Sequence, residues 1–162
     1  MLLPLLIKIF ILLLFKTDDV KGEHCEEGWE DKVKEGLNCL FFDTMEANYA
    51  DAKQFCKRKD ANLIELKSNE ELKLLSLTMN VMGLPGLWWG GASYAGGLWK
   101  WKESGQLLEQ WIWGKWGSGA NEKYPAFGYT CFVFSKGLWN NGEWKGANWL
   151  CNQHYKSICQ KR

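Results

Sequence analysis

The chain has 162 residues, a formal net charge of +1 and 46% hydrophobic residues. This length fits one domain, and the near-neutral charge without a basic patch argues against a nucleic-acid-binding protein. Eleven tryptophans are an unusual number for a chain of this size, because so much ring surface has to be buried or used for binding.

The amino-terminal segment determines the expected compartment. Residues 1–15 are apolar except for Lys8 and Pro4, and this run is shorter than the roughly 20 residues of a transmembrane helix. It is typical of a signal peptide, and Val20-Lys21-Gly22 approximates the small-x-small cleavage pattern. We therefore expect residues 1–22 to be a signal peptide and residues 23–162 to be a secreted, extracellular domain, in an environment that favours disulfides.

Two helices are predicted in the first half of the chain. Tyr49–Lys59 carries one apolar stripe at helical spacing. A second helix is predicted over Asn69–Met79, where Ser68 is the expected N-cap and Glu71 completes a capping box. Between the two helices, Asn62–Leu66 alternates like a short strand.

Beyond Leu87 the pattern changes to short aromatic segments separated by glycine-rich turns. The strand candidates are Leu87–Gly90, Leu98–Lys102, Thr130–Ser135 and Tyr155–Cys159. Two helices followed by short strands indicate an α+β fold. Gly105–Tyr129 has little pattern, and a loop of this length is usually functional or disordered; its many aromatic residues argue against disorder.

All six cysteines follow the predicted signal peptide, and their even number predicts disulfides: Cys25, Cys39, Cys56, Cys131, Cys151 and Cys159. Six cysteines allow about 15 pairings, among which spacing alone does not choose. A zinc site is not expected, because the chain has no Cys-x-x-Cys and because His24 and His154 lack ligand spacing.

Several motifs follow one another in a fixed order between the first and last cysteines. They are Gly28-Trp29, Cys39-Leu40-Phe41-Phe42, Tyr49-x-x-Ala52-x-x-x-Cys56, Ala61-x-Leu63 with Ser68-Asn69-Glu70-Glu71, Trp88-Trp89-Gly90-Gly91 and Trp99-x-Trp101-x-x-Ser104-Gly105. With Cys131, Cys151 and Cys159, this order and spacing resemble the C-type lectin-like domain in its long form.

The resemblance implies two helices packed on short antiparallel strands, a long tryptophan-rich loop region and three disulfides. The implied pairs are Cys25–Cys39, Cys56–Cys159 and Cys131–Cys151. All six cysteines are then used internally, so an interchain disulfide is not expected. Each bridge should stabilise the domain by about 2–4 kcal/mol, and the larger loops by somewhat more.

The resemblance also implies a ligand site in the long loop region. Sugar-binding members of the family hold a calcium ion there through a Glu-Pro-Asn or Gln-Pro-Asp tripeptide and a Trp-Asn-Asp tripeptide. In this chain Trp116-x-x-Gly119 matches the lead-in to the first tripeptide, but Ala120-Asn121-Glu122 comes next. Ala120 offers no side-chain oxygen, and Asn121 replaces the proline, where a cis bond would cost about 3–4 kcal/mol. Only Glu122 remains as a carboxylate ligand.

The second tripeptide can be aligned in two ways. Trp139-Asn140-Asn141 resembles Trp-Asn-Asp without its charge, whereas the alternative Trp144-Lys145-Gly146 has no ligands. Asn-Asn-Gly is also good turn chemistry, which is the simpler interpretation of these residues. No cofactor is certain; the candidate ligands for a weak or absent calcium site are Glu122, Asn140 and Asn141. The candidate ligand-binding residues are Trp116, Asn121, Glu122, Trp139, Asn140, Asn141, Glu143 and Trp144.

The tryptophans divide into two groups. Trp88, Trp99 and Trp101 match core positions of the family. The others in or beside the loop region are Trp111, Trp113, Trp116, Trp139, Trp144 and Trp149. Some of these are expected to fill a small core of the loop region, and a few to form an exposed apolar platform for a ligand.

The leading interpretation is a secreted lectin-like module that recognises glycans through the long loop region, not an enzyme, because no catalytic motif is present. The alternatives are a calcium-independent protein-binding member of the fold, of inhibitory, venom-like or ice-binding type, and a membrane-active defence protein. The expected partners are glycans or a protein surface, without nucleic acid, and a membrane surface is not favoured.

Overall fold

A computed structural model describes residues 25–114, 128–137 and 142–162. In chain order, the strands and helices are β1 (Glu30–Lys32), β2 (Asn38–Ala47), α1 (Tyr49–Arg58), β3 (Asn62–Leu63), α2 (Asn69–Val81), β4 (Leu87–Ala95), β5 (Leu98–Trp101), β6 (Cys131–Lys136), β7 (Trp144–Trp149) and β8 (Tyr155–Lys161). A short 3-10 helix, Gln110–Ile112, lies after β5. The predicted α+β class is confirmed.

The eight strands form one sheet in the order β1-β2-β8-β4-β6-β7, with β3 paired to β8 and β5 paired to β4. Strand β8 lies near the centre, antiparallel to β2 and parallel to β4. The β4–β8 pair departs from the antiparallel arrangement that the resemblance implied, and makes the sheet mixed. All five strand candidates are present with shifted ends, whereas β1, β2 and β7 were not among the candidates.

Both helices begin at the residues that the sequence predicted, each behind a capping side chain. The Asn48 side chain accepts a hydrogen bond from the Asp51 N–H at the start of α1, and the Ser68 hydroxyl accepts from the Glu71 N–H at the start of α2. These side chains satisfy backbone donors that have no partner within the helix. The Glu71 carboxylate accepts from the Lys67 N–H and so completes the turn that leads into α2.

The core lies on both faces of the sheet. Trp88 packs in a cluster with Leu72, Leu75 and Met79 of α2, whereas the next residue, Trp89, packs with Cys56 and other residues of α1. Adjacent strand residues point to opposite faces, so two successive tryptophans are both fully buried. This two-sided core explains why β4 shows no polar alternation.

Three disulfides join the pairs that the resemblance implied: Cys25–Cys39, Cys56–Cys159 and Cys131–Cys151. The second ties α1 to β8 across 103 residues of sequence. The third joins Cys131, at the start of β6, to Cys151, the second residue after β7, and closes the base of the loop region.

The buried phenol of Tyr49 is expected to make the domain less stable at alkaline pH. Its hydroxyl donates to the Ala92 carbonyl oxygen at 3.2 Å, and burial, with smaller effects from Glu65 and Glu103, raises the pKa of the phenol. The unfolded chain ionises near its usual pKa of about 10. The contribution of the neutral Tyr49 phenol to the free energy of unfolding is therefore fully present below that pH. It falls as the pH rises above it, because the unfolded state releases the proton while the folded state keeps it.

Thermal melting across this alkaline range checks the prediction. Wild-type protein should lose melting temperature more steeply than Tyr49→Phe, which cannot ionise. Equal alkaline losses in the two proteins would show that Tyr49 is not responsible.

Candidate functional site: the long loop region

The loop region is supported by the β6–β7 hairpin. The two strands pair from Cys131 opposite Trp149 to Lys136 opposite Trp144. At the far end, the Gly142 N–H donates to the Gly137 carbonyl oxygen at 3.2 Å. Gly142 has a φ of 76°, which glycine adopts without a steric penalty. This backbone hydrogen bond therefore closes the end of the hairpin between the two residues that flank positions 138–141.

A second segment is held beside this hairpin. After the 3-10 helix, Trp113 pairs with Gly146 of β7 in a parallel bridge, and the Gly114 N–H donates to the Gly146 carbonyl oxygen at 3.0 Å. Glycine at position 146 leaves room on both sides of β7, because a Cβ there would overlap the Phe132 ring of β6 and lie 3.1 Å from the Ile112 carbonyl oxygen. Gly114 is therefore fixed against β7.

Most of the predicted ligand-binding residues lie outside the described residues. These are Trp116, Asn121, Glu122, Trp139, Asn140 and Asn141, which include every predicted calcium ligand, and all remain predictions. Glu143 is described and exposed, immediately before β7. Its carboxylate stands beside the closed hairpin end, where it can accept hydrogen bonds from a ligand.

Trp144 differs from its prediction as a ligand-binding residue. Its side chain is 1% exposed and belongs to the core, and its Nε1–H donates to the Asn80 Oδ1 at 3.1 Å. A ring buried in this way has no free face on which a ligand could stack. Position 144 is buried because the hairpin packs against α2, so its role here is structural.

Asn80, which sequence reasoning missed, connects α2 to the loop region. Its Oδ1 accepts from the Lys136 Nζ at 2.7 Å as well as from Trp144. Asn80 precedes its two donors by 56 and 64 residues, so no local pattern could have revealed the contact. The two hydrogen bonds fix the end of β6 and the start of β7 relative to the helix.

Most of the described chain matches one known family. Residues 45–161 match the family described as the lectin C-type domain. This range extends from the end of β2 to the end of β8 and includes the whole loop region. The chain belongs to the C-type lectin domain family.

Relatives and solved structures agree with this assignment. The mouse protein CD209 antigen-like protein C is 29% identical over 138 residues, which cover 82% of this chain and 72% of that protein. The structure of SPL-1 in complex with GlcNAc has a TM-score of 0.66 at 24% identity, covering 83% of this chain and 93% of that chain. This C-type lectin domain therefore shares its fold with SPL-1.

Two further structures show the same fold. The C-type lectin domain of murine dendritic cell inhibitory receptor 2, in complex with N-glycan, has a TM-score of 0.66 at 18% identity and covers 85% of this chain and 98% of that chain. A calcium-independent type II antifreeze protein has a TM-score of 0.61 at 19% identity and covers 84% of this chain and 92% of that chain.

The described part of the loop region does not fit calcium. Across residues 25–114, 128–137 and 142–162, no three His, Cys, Asp or Glu side chains are grouped so that they could hold a metal ion. Of the two described loop carboxylates, Glu109 already accepts from the Trp111 Nε1–H at 3.0 Å. Calcium takes about six to eight oxygen ligands, so the described loop residues alone are too few to hold it.

The described tryptophans of this C-type lectin domain mainly serve packing. Trp113 is half-buried, and its ring lies edge-on to those of Trp99 and Phe132, with centroids 5.1 and 5.6 Å apart. Trp149 is half-buried and donates its Nε1–H to the Tyr155 hydroxyl at 2.7 Å. Trp88, Trp99 and Trp101 are buried in the core, as their positions in the sequence pattern predicted.

None of the helices within the described residues is both long enough and apolar enough to span a membrane.

Proposed function

We propose that this C-type lectin domain is secreted and recognises glycans through its long loop region, with calcium held weakly or not required. The proposal rests chiefly on the family match over residues 45–161, because it spans the β6–β7 hairpin and the segment bonded to it. Support also comes from relatives of the same fold whose structures contain GlcNAc or an N-glycan.

Glu143 is the described side chain on which the binding chemistry can be argued. Its exposed carboxylate lies beside the closed end of the hairpin, and a hydrogen bond from a sugar hydroxyl to a charged acceptor contributes about 1.5–3 kcal/mol. The remaining contacts are proposed for the sequence-predicted residues Trp116, Asn121, Glu122, Trp139, Asn140 and Asn141. An indole ring that is exposed among them would stack on the apolar face of a sugar ring.

A glycan array probed with and without calcium tests the proposed function. We expect saturable binding to at least one class of glycan, with little change when calcium is chelated. An array that stays blank in both conditions would contradict the proposal and favour the protein-binding alternative. Binding lost on chelation would leave glycan recognition in place and show that it requires the weakly held calcium.

Glu143→Gln tests where the glycan binds. This change keeps the shape of the side chain but removes its charge, so the affinity for an array-positive glycan should fall about tenfold, as expected for a charged hydrogen bond. Glu46→Gln is the matched control, because Glu46 is also an exposed glutamate and lies on β2, near the other end of the sheet order. Equal affinities of the two variants would exclude Glu143 from the binding site.

A further inference from the structure

A groove runs along α2 and past its C-terminus, between the helix and the closed end of the β6–β7 hairpin. Two adjoining cavities of about 330 and 500 Å³ form it. Asn80 and Gly142 line both cavities, so we call this surface the Asn80 groove. Its helix wall includes Asn69, Lys73, Ser76, Leu77 and Asn80. These positions recur every three or four residues, so they share one side of the helix and form a continuous wall.

Three lysines from three different elements line the Asn80 groove. They are Lys73 of α2, Lys136 of β6 and Lys145 of β7. Among the described residues, none of the three forms an ion pair, and Glu143 is the one acidic side chain among the described lining residues. The whole chain has a net charge of only +1, so this excess of positive charge is local to the groove.

Hydrogen bonds position two of these lysines without neutralising them. The Lys136 Nζ donates to the Asn80 Oδ1 at 2.7 Å, and the Lys145 Nζ donates to the Trp111 carbonyl oxygen at 3.4 Å. Both acceptors are uncharged, and an ammonium group has three donors, so each lysine can also bond to an anionic ligand. Lys73 precedes Asn80 by two helical turns, about 10 Å. The positive charges are therefore spread along the groove, which suits an oligomer better than one small anion.

The charge and the polar wall together specify the chemistry of a ligand. We propose that the Asn80 groove binds an oligosaccharide with carboxylate-bearing sugars, of the uronic or sialic acid type, a step that rests on the proposed glycan recognition. The sugar carboxylates accept hydrogen bonds from the lysine ammonium groups, and such charge-assisted bonds are shorter and stronger than neutral ones. The sugar hydroxyls donate to the Glu143 carboxylate at the hairpin end.

Glu143 distinguishes this ligand from a heavily sulfated chain. An ionised carboxylate only accepts hydrogen bonds, so it repels a sulfate group, which has no proton to donate, and attracts a hydroxyl. An acidic sugar that keeps its free hydroxyls satisfies both the lysines and the glutamate. A neutral glycan would bond to Glu143 but would leave the ammonium groups without an opposite charge.

Calorimetric titration with matched acidic and neutral probes tests the proposal. Tetragalacturonic acid should bind saturably and at least tenfold more tightly than its methyl ester, which keeps the ring hydroxyls but has no charge. 3′-Sialyllactose against lactose makes the same comparison for a sialic acid, and the tighter acidic probe identifies the class of sugar. Acidic probes that both bind no better than their neutral partners would overturn the proposal. Neutral glycans that bind on the array would still support glycan recognition, so the two failures are distinguishable.

Charge-matched variants locate the binding of the acidic probe. Lys73→Gln/Lys136→Gln/Lys145→Gln should weaken the binding at least tenfold, because each exposed ion pair contributes modestly and three are lost. Lys34→Gln/Lys100→Gln/Lys102→Gln is the matched control, with the same change in net charge. Its three lysines are exposed and line neither cavity, so the affinity should stay within about twofold of the wild type.

Equal losses in the two triple variants would overturn the proposed groove, because net charge alone would then explain the binding. Should the groove variant fail to fold, Lys73→Gln compared with Lys102→Gln provides the same test with one charge removed from each protein. Lys73→Gln should then weaken the acidic probe about threefold, and an unchanged affinity would contradict the proposal.

Discussion

The double substitution Cys56→Ala/Cys159→Ala is expected to lower the free energy of unfolding by about 4–5 kcal/mol. The bridge closes a loop of 103 residues, and the stabilisation from restricting the unfolded chain increases with loop length, to about 4.7 kcal/mol near 100 residues. Both cysteines are completely buried. Urea denaturation measures the change, which is a large part of the roughly 5–15 kcal/mol that stabilises a typical domain.

Cys25→Ala/Cys39→Ala is the matched control. That bridge spans only 14 residues, so its removal should cost less, about 3 kcal/mol. Equal losses in the two double variants would show that loop length does not determine the contribution of these bridges.

Gly91→Ala is expected to destabilise the domain by about 3 kcal/mol, through overpacking and a weakened hydrogen bond. A Cβ at this position would lie 2.5 Å from the Leu63 carbonyl oxygen and 3.1 Å from that of Ile64. The Gly91 N–H also donates to the Ile64 oxygen at 2.8 Å. Because the obstructing atoms are backbone, β4 would have to move away from the segment after β3.

Ala95→Ser in the same strand controls for the added atom. Ala95 is exposed at the end of β4. The Ala95→Ser protein should therefore melt close to the wild-type temperature, while the Gly91→Ala protein should melt about 10 °C lower. A Gly91→Ala protein as stable as Ala95→Ser would show that the approach of β4 to Leu63 is not tight.

The sequence predicted local elements well where local chemistry defines them. Ser68, the N-cap predicted from its capping box with Glu71, lies at the start of α2, whereas Asn48, the N-cap of α1, was not predicted. The strand predicted over Asn62–Leu66 ends at Leu63. The Ile64 N–H still donates to Ile158 of β8, but the Ile64 carbonyl oxygen accepts from the Gly91 N–H of β4. That end depends on residues far away in sequence, which periodicity does not report.

The burial of Glu65 and the presence of strand β7 also depend on residues that are distant in sequence, so local patterns did not predict them. Glu65 is 4% exposed, although a glutamate in a loop is usually exposed; its carboxylate accepts from the Glu103 and Ser104 N–H groups. Strand β7 was missed because its tryptophans, five residues apart, match neither strand nor helix periodicity. It pairs with β6 along its full length, so tertiary pairing, rather than a local pattern, defines it.

The candidate site was predictable only in part. The family resemblance located the loop region and the cysteine pairs, which depend on motifs spread along the whole chain. It also suggested Trp144 as a ligand-binding ring, whereas that ring is buried against α2 and bonded to Asn80. The sequence shows that a tryptophan is present, but only the packing of α2 on the hairpin decides which rings remain accessible.

The most direct test of glycan recognition through the loop region is a ¹⁵N–¹H titration of the folded domain with an array-positive glycan. We predict that saturable shifts concentrate in residues 109–114 and 137–146, the two segments joined at Gly114 and Gly146. Shifts confined to β1, β2 and α1, or no shifts at all, would contradict the proposed site.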